Sequence, residues 1–158
     1  MNKLFILLAL VAFVGFSCSG DDTEFLSYDE QLAVDTQIIN DYLSANSLTA
    51  DSTVEGLRYE ITSAGNGDFP TSGTKVVVNY TGKSLDGSVF DSNTTGGFSF
   101  GLGQGRVIQG WDIGIALLSK GGKATLYIPS GLAYGTRGAG SSIGPNEVLI
   151  FDVELVDF

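Results

Sequence analysis

The spacing of apolar residues changes several times along this chain, and each change marks a boundary. From Leu4 to Phe16, thirteen residues are apolar without interruption. A membrane-spanning helix needs about 20. A short run behind Lys3, followed by small residues, predicts a secretory signal peptide over residues 1–17 instead. The second pattern, SYDEQLAVDTQIINDYLSAN over 27–46, has helical spacing: Leu32, Ile39 and Leu43 share a face, widened by Ile38 and Tyr42. Ser27 with Glu30 three residues later forms a capping box, and Asp29 and Glu30 complement the dipole of the first turn. This apolar face needs a partner, which is its own domain, a second copy through residues 28–46, or a client.

After the polar linker 48–53 the period drops to two. Leu57, Tyr59 and Ile61 predict one strand, and Val76, Val78 and Tyr80 within 74–84 a second. Asp86-Gly87 is a hairpin signal, with SVFDS returning on the far side. Phe98, Phe100 and Leu102 alternate again. Ile108, Trp111, Ile115 and Leu118 are spaced for a short helix, which Gly121-Gly122 ends. KATLYIP at 123–129 predicts a strand, residues 132–147 a long Gly- and Ser-rich loop, and Leu149, Phe151, Val153 and Leu155 a closing strand. The expected fold is α+β, an antiparallel sheet curled around one helix. The chain divides into a signal segment 1–17, an acidic arm 18–54 and a domain 55–158.

Charge sharpens that division. The net charge is −10, and eight of the 18 acids lie in residues 18–54, where there is no Lys or Arg. The remainder is nearly balanced. Such a chain is a poor nucleic-acid binder. There is no His and one Cys. A catalytic triad, a Cys–His pair, a His-based metal site and an intrachain disulfide are therefore excluded.

The N-terminal pattern resembles a bacterial lipoprotein signal, in which the Cys, here Cys18, becomes the lipidated first residue. The resemblance implies a protein anchored in the cell envelope, at the outer membrane on its periplasmic or surface side. Gly15 stands where that signal usually has Leu, and an ordinary signal peptide with an incidental Cys is the alternative. A lipid at Cys18 would hold the protein at a membrane without crossing it.

YTGKSLDGSVFDS, FSFGLGQGRVIQGWDIGIALLSKGGKATLYIP, LAYG and EVLIFDVEL, in that order, resemble the motifs of the tacrolimus-binding (FKBP-type) peptidyl-prolyl cis-trans isomerases. The similarity covers about residues 56–158. It implies a bent antiparallel sheet around the short helix, and a pocket walled by Tyr80, Phe90, Phe98 and Phe151 over a floor of Trp111. It implies further that Val107 and Ile108 line the pocket and that the Ile108 N–H donates to a substrate carbonyl. Asp91 matches the pocket carboxylate, Tyr134 the Tyr whose hydroxyl meets the ligand, and Ile143 the apolar residue of an overhanging loop. Tyr80, Phe90, Asp91, Ile108, Trp111 and Tyr134 are thus the expected catalytic set, with Phe98, Val107, Ile143 and Phe151 binding substrate. Ala139 and Gly144 depart from the family in that loop and bear on client preference.

The implied partners are proline-containing polypeptides and macrolides of the tacrolimus type. No metal or cofactor is expected. Amide rotation has a barrier of about 18–20 kcal/mol, and lowering it requires no nucleophile. The lack of His is therefore compatible with this chemistry. The competing expectation is the same fold acting as a chaperone or binding module with little turnover.

Overall fold

The computed structural model describes residues 26–158. The expected signal segment, Cys18 and the acidic tether up to residue 25 lie outside the described residues.

Helix α1, Tyr28–Ala45, begins as its sequence predicts. Ser27 Oγ accepts from the Glu30 N–H at 3.3 Å, and the Ser27 N–H donates to Glu30 Oε2 at 2.9 Å. These two bonds satisfy orphan donors at the helix start. At the other end Asn46 caps the helix, and Ser47 turns the chain out with φ 55°.

Six strands follow: β1 Asp51–Ser52, β2 Arg58–Ser63, β3 Lys75–Lys83, β4 Val89–Gly101, β5 Lys123–Ile128 and β6 Leu149–Asp157. They form one sheet in the order β1-β2-β5-β6-β3-β4, antiparallel at every pairing. Helix α2, Gln109–Ile115, is shorter than the pattern through Leu118 predicts. Leu118 is buried all the same, in the turn beyond the helix.

The main core lies between α2 and the sheet. Val76, Val78, Leu126, Ile128, Leu149, Phe151, Val153 and Leu155 face it from the strands, and Trp111 and Ile115 from the helix. Two glycines permit the close approach. A Cβ on Gly110 would sit 2.5 Å from Ile128 Cγ2, and one on Gly114 2.5 Å from Leu126 Cδ1. The side chains of β5 therefore fill the space that two larger helix residues would need.

A second, smaller core lies on the opposite face. Ile39 and Leu43 of α1 pack against Tyr127, Val148 and Ile150. The helix thus docks on its own sheet through Ile39 and Leu43, the buried part of the apolar face for which a second copy was one expected partner. This docking also explains why β5 and β6 depart from alternation. Tyr127 and Ile150 point away from the main core and are buried nonetheless, at 2% and 5% exposure. Ile61 and Ile38, both expected to face inward, are largely exposed.

Candidate active site

The site is built where strand β4 leaves the regular ladder. Val78 pairs with Phe98, but Tyr80 pairs with Asn93, so two steps along β3 are matched by five along β4. The surplus residues include Gly96 at φ 89° and Gly97 at φ 68°, conformations that favour glycine. The irregularity bends β4 around the end of α2 and lets Phe90, Asp91 and Phe98 face one hollow. The VFDS run and the alternation from Phe98 thus belong to one strand, β4, which ends at Gly101 before Leu102.

Helix α2 supplies the floor. Its Asp112 carboxylate accepts from the N–H of Gly103 at 2.8 Å and of Gly105 at 3.2 Å. These bonds fold the loop 102–107 back onto the helix and set Val107 and Ile108 at its start. Ile108 is the N-cap residue, and its carbonyl accepts from the Trp111 N–H at 2.9 Å. Its own N–H donates to no acceptor among the described residues. Trp111 is 4% exposed, and its ring centroid lies 4.9 Å from that of Tyr80 and 5.3 Å from that of Phe151, both edge-on. The Trp111 Nε1 donor is buried with no partner among the described residues.

The walls close by edge contacts. Phe90 and Phe151 meet T-shaped at 5.5 Å, over Gly82. A Cβ on Gly82 would fall 2.5 Å from Phe90 Cε2 and 2.7 Å from Phe151 Cε1, so the rings occupy the place of a side chain. The segment between β5 and β6 crosses the rim. Ala139 and Ile143 exchange backbone hydrogen bonds of 2.9 and 3.1 Å, which close a small hairpin over the pocket. Glu147 moors that hairpin, accepting from the Gly144 N–H at 2.6 Å and from Ser84 Oγ at 2.5 Å.

The resulting cavity has a volume of ≈ 530 Å³. It is lined by all ten side chains expected from the sequence: Tyr80, Phe90, Asp91, Phe98, Val107, Ile108, Trp111, Tyr134, Ile143 and Phe151. Arg106, Ala139, Gly140 and Ser142 also line it. Arg106, Gly140 and Ser142 carry no sequence signal beyond standing next to Val107, Ala139 and Ile143.

The polar side chains of the hollow are Tyr80, Asp91, Arg106, Tyr134 and Ser142. The Tyr80 hydroxyl donates to Asp91 Oδ2 at 2.7 Å. Burial, then the hydrogen bond to Asp91 and its charge, push the Tyr80 hydroxyl up to about 12. Tyr134 is also raised, by burial first and then by Asp91. Both hydroxyls therefore keep their protons at neutral pH and can donate. The arrangement offers a slot walled by aromatic rings, a hydroxyl at the rim and an unengaged backbone N–H at the floor.

Comparison with known proteins agrees with this geometry. The family described as FKBP-type peptidyl-prolyl cis-trans isomerase matches residues 66–156, more than half of the chain. The probable FKBP-type peptidyl-prolyl cis-trans isomerase FkpA of Neisseria meningitidis is 50% identical over 105 residues, 66% of this chain but 39% of that protein. FK506-binding protein 1 of Dictyostelium discoideum is 43% identical over 105 residues, 65% of this chain and 98% of that protein. The crystal structure of FkpA from Escherichia coli superposes with a TM-score of 0.68 at 38% identity, covering 82% of this chain and 61% of that one. The chain thus spans well under two thirds of the length of the Neisseria relative. The sheet with its short helix is the fold that these relatives share, and the chain belongs to the FKBP-type peptidyl-prolyl cis-trans isomerases.

Proposed function

We propose that the chain accelerates the cis-trans isomerisation of Xaa-Pro bonds in other polypeptides, by binding the proline ring in the aromatic hollow. The observation that carries this reading is a slot walled by aromatic rings, with a hydroxyl at its rim and a backbone N–H at its floor. An uncatalysed Xaa-Pro bond takes tens to hundreds of seconds to turn. The planar amide is the more polar state, because resonance places charge on its oxygen. A twisted amide loses that resonance, so a water-poor pocket disfavours the ground state relative to the transition state. The Ile108 N–H holds a flanking carbonyl, and the Tyr134 hydroxyl anchors the peptide from the rim. Asp91 orients the Tyr80 hydroxyl. No proton moves, so none of these groups acts as an acid or base.

The same slot accommodates macrolides of the tacrolimus type. The clients are envelope or exported proteins, and Cys18 carries the lipid that holds the enzyme at the membrane. The signal-like apolar run ahead of Cys18 supports the anchor. Replacing Cys18 with Ala then moves the protein from the membrane fraction to the soluble fraction. With the face of α1 already docked, the expected state is one copy, and sedimentation checks it.

The deciding experiment is the isomerisation rate of a Leu-Pro-Phe peptide with residues 19–158, with and without tacrolimus. Fast turnover blocked by the drug supports the enzyme. A folded chain with no turnover moves the reading to a chaperone or binding module.

A further inference from the structure

The matched family segment begins at residue 66, yet a residue of α1 bonds to Ser130, at the start of the segment that runs on to the pocket rim. Asp35 is fully buried, with 0% exposure. Its Oδ2 accepts from the Ser130 N–H at 2.7 Å and from Ser130 Oγ at 2.6 Å, and its Oδ1 accepts from Gln31 Nε2 at 2.7 Å. Ser130 is itself fully buried. The described ion pairs join Lys83 to Asp152, Lys120 to Asp157 and Lys123 to Glu154, so neutral donors alone hold Asp35.

A buried carboxylate is costly unless its oxygens are satisfied. Ile39 and Leu43 already dock the helix by apolar contact, so attachment alone does not require a buried acid. A carboxylate instead fixes one geometry, since its donors must stay within hydrogen-bond reach. The group it fixes is the turn Ser130–Leu132. A second contact points the same way. The Tyr28 ring lies against Gly131, where a Cβ would come 2.8 Å from Tyr28 Cε2. Four residues after Ser130, Tyr134 enters the pocket, and Ile143 follows on the hairpin above it.

We infer that Asp35 is a positioning residue: from the arm helix it locks the turn at Ser130 and so sets where Tyr134 and the overhanging hairpin stand. This rests on the isomerase reading for its effect on turnover, though not for its effect on the loop. The arm is then more than a spacer, because a segment outside the matched region tunes the pocket.

The test uses the full chain in detergent micelles, with Asp35→Ala and the milder Ser130→Ala. Amide hydrogen exchange is followed at Ser130, Leu132, Ala133, Ala139 and Ile143, with β3 and β6 amides as the internal control. The expected result is protection lowered about tenfold or more in the crossing segment, with β3 and β6 unchanged. KM for the peptide rises several-fold with little change in kcat, as loss of a uniform binding contact predicts. Combined with Tyr134→Phe, the rise falls well short of additive, because both changes act on one contact.

Unchanged exchange in the crossing segment overturns the inference. So does an equal loss across β3 and β6, which marks a purely structural residue, and so does full additivity with Tyr134→Phe. Where Asp35→Ala unfolds the domain, Asp35→Asn and Ser130→Ala carry the same readouts. A wild-type chain without turnover refutes the isomerase reading, and the exchange pattern then judges the lock independently.

Discussion

The Tyr80 hydroxyl and Asp91 are joined by a 2.7 Å hydrogen bond across the β3–β4 pair, at the edge of the aromatic hollow. Tyr80 is half-buried and Asp91 exposed, so the bond runs from the pocket wall toward water. It fixes the ring that meets the Trp111 floor edge-on.

Substitutions around this bond are expected to rank in a set order. Asp91→Val removes the acceptor and frees the Tyr80 ring. Phe90→Ala opens the wall. Each lowers kcat/KM about tenfold or more, the value of one lost interaction of about 1.4 kcal/mol. Trp111→Leu lowers it less, because an apolar floor remains. Peptide assays beside circular dichroism check the ranking. Total loss of activity together with loss of fold in all three would remove the pocket assignment.

Alkaline titration should find the raised tyrosines Tyr80 and Tyr127, beside Tyr134, which is raised as well. Tyr80 and Tyr127 are both pushed up to about 12, primarily by burial. A phenol whose folded value lies above the ordinary 10 favours the folded state while it keeps its proton. That contribution is complete below pH 10 and fades as pH rises toward 12. The urea midpoint is therefore expected to drop across that window. Tyrosinate absorbance should show late-titrating tyrosines, one fewer in Tyr80→Phe. An unchanged late step in that variant would refute the assignment to Tyr80.

Gly82→Ala tests how tightly the walls meet. The added Cβ collides with the Phe90 and Phe151 rings. Overpacking of this kind costs about 1–3 kcal/mol. The urea midpoint and tacrolimus affinity should fall together, since the displaced rings are the pocket wall. A stable variant with full affinity would show that the rings yield freely.

The arm helix should behave as part of the cooperative unit. Ser27→Ala removes the cap, at a cost of about 1 kcal/mol. Ile39→Ala opens the smaller core, at about 2–5 kcal/mol. Both should shift the single unfolding transition of the sheet. A helix that melts in a separate, earlier step would contradict the docking.

Much of this architecture is legible in the residues. The start of α1 follows from Ser27 and Glu30, and β6 from Leu149, Phe151, Val153 and Leu155. The ten pocket residues follow from motif order, because their separation in sequence hides their meeting in space. What stays hidden has one physical cause. Pattern reading places polar residues outward and allows a strand one buried face. Asp35 is polar and fully buried, and Ile150 lies on the second face, covered by α1. Both depend on where a distant helix lands. Gly110 and Gly114 read as weak helix formers, yet they are the surface against which β5 packs.

The position of β6 has a consequence for how the chain is made. Last of the six strands in sequence, it lies inside the sheet, hydrogen-bonded to β5 on one side and β3 on the other. Until residues 149–157 have left the ribosome, β3 and β5 have nothing between them. Helix α1, synthesised early, lacks Val148 and Ile150 as a dock until the same moment. Such long-range pairing is slow to form. The sheet therefore cannot close, nor α1 find its dock, until strand β6 has been made and can slide between β3 and β5.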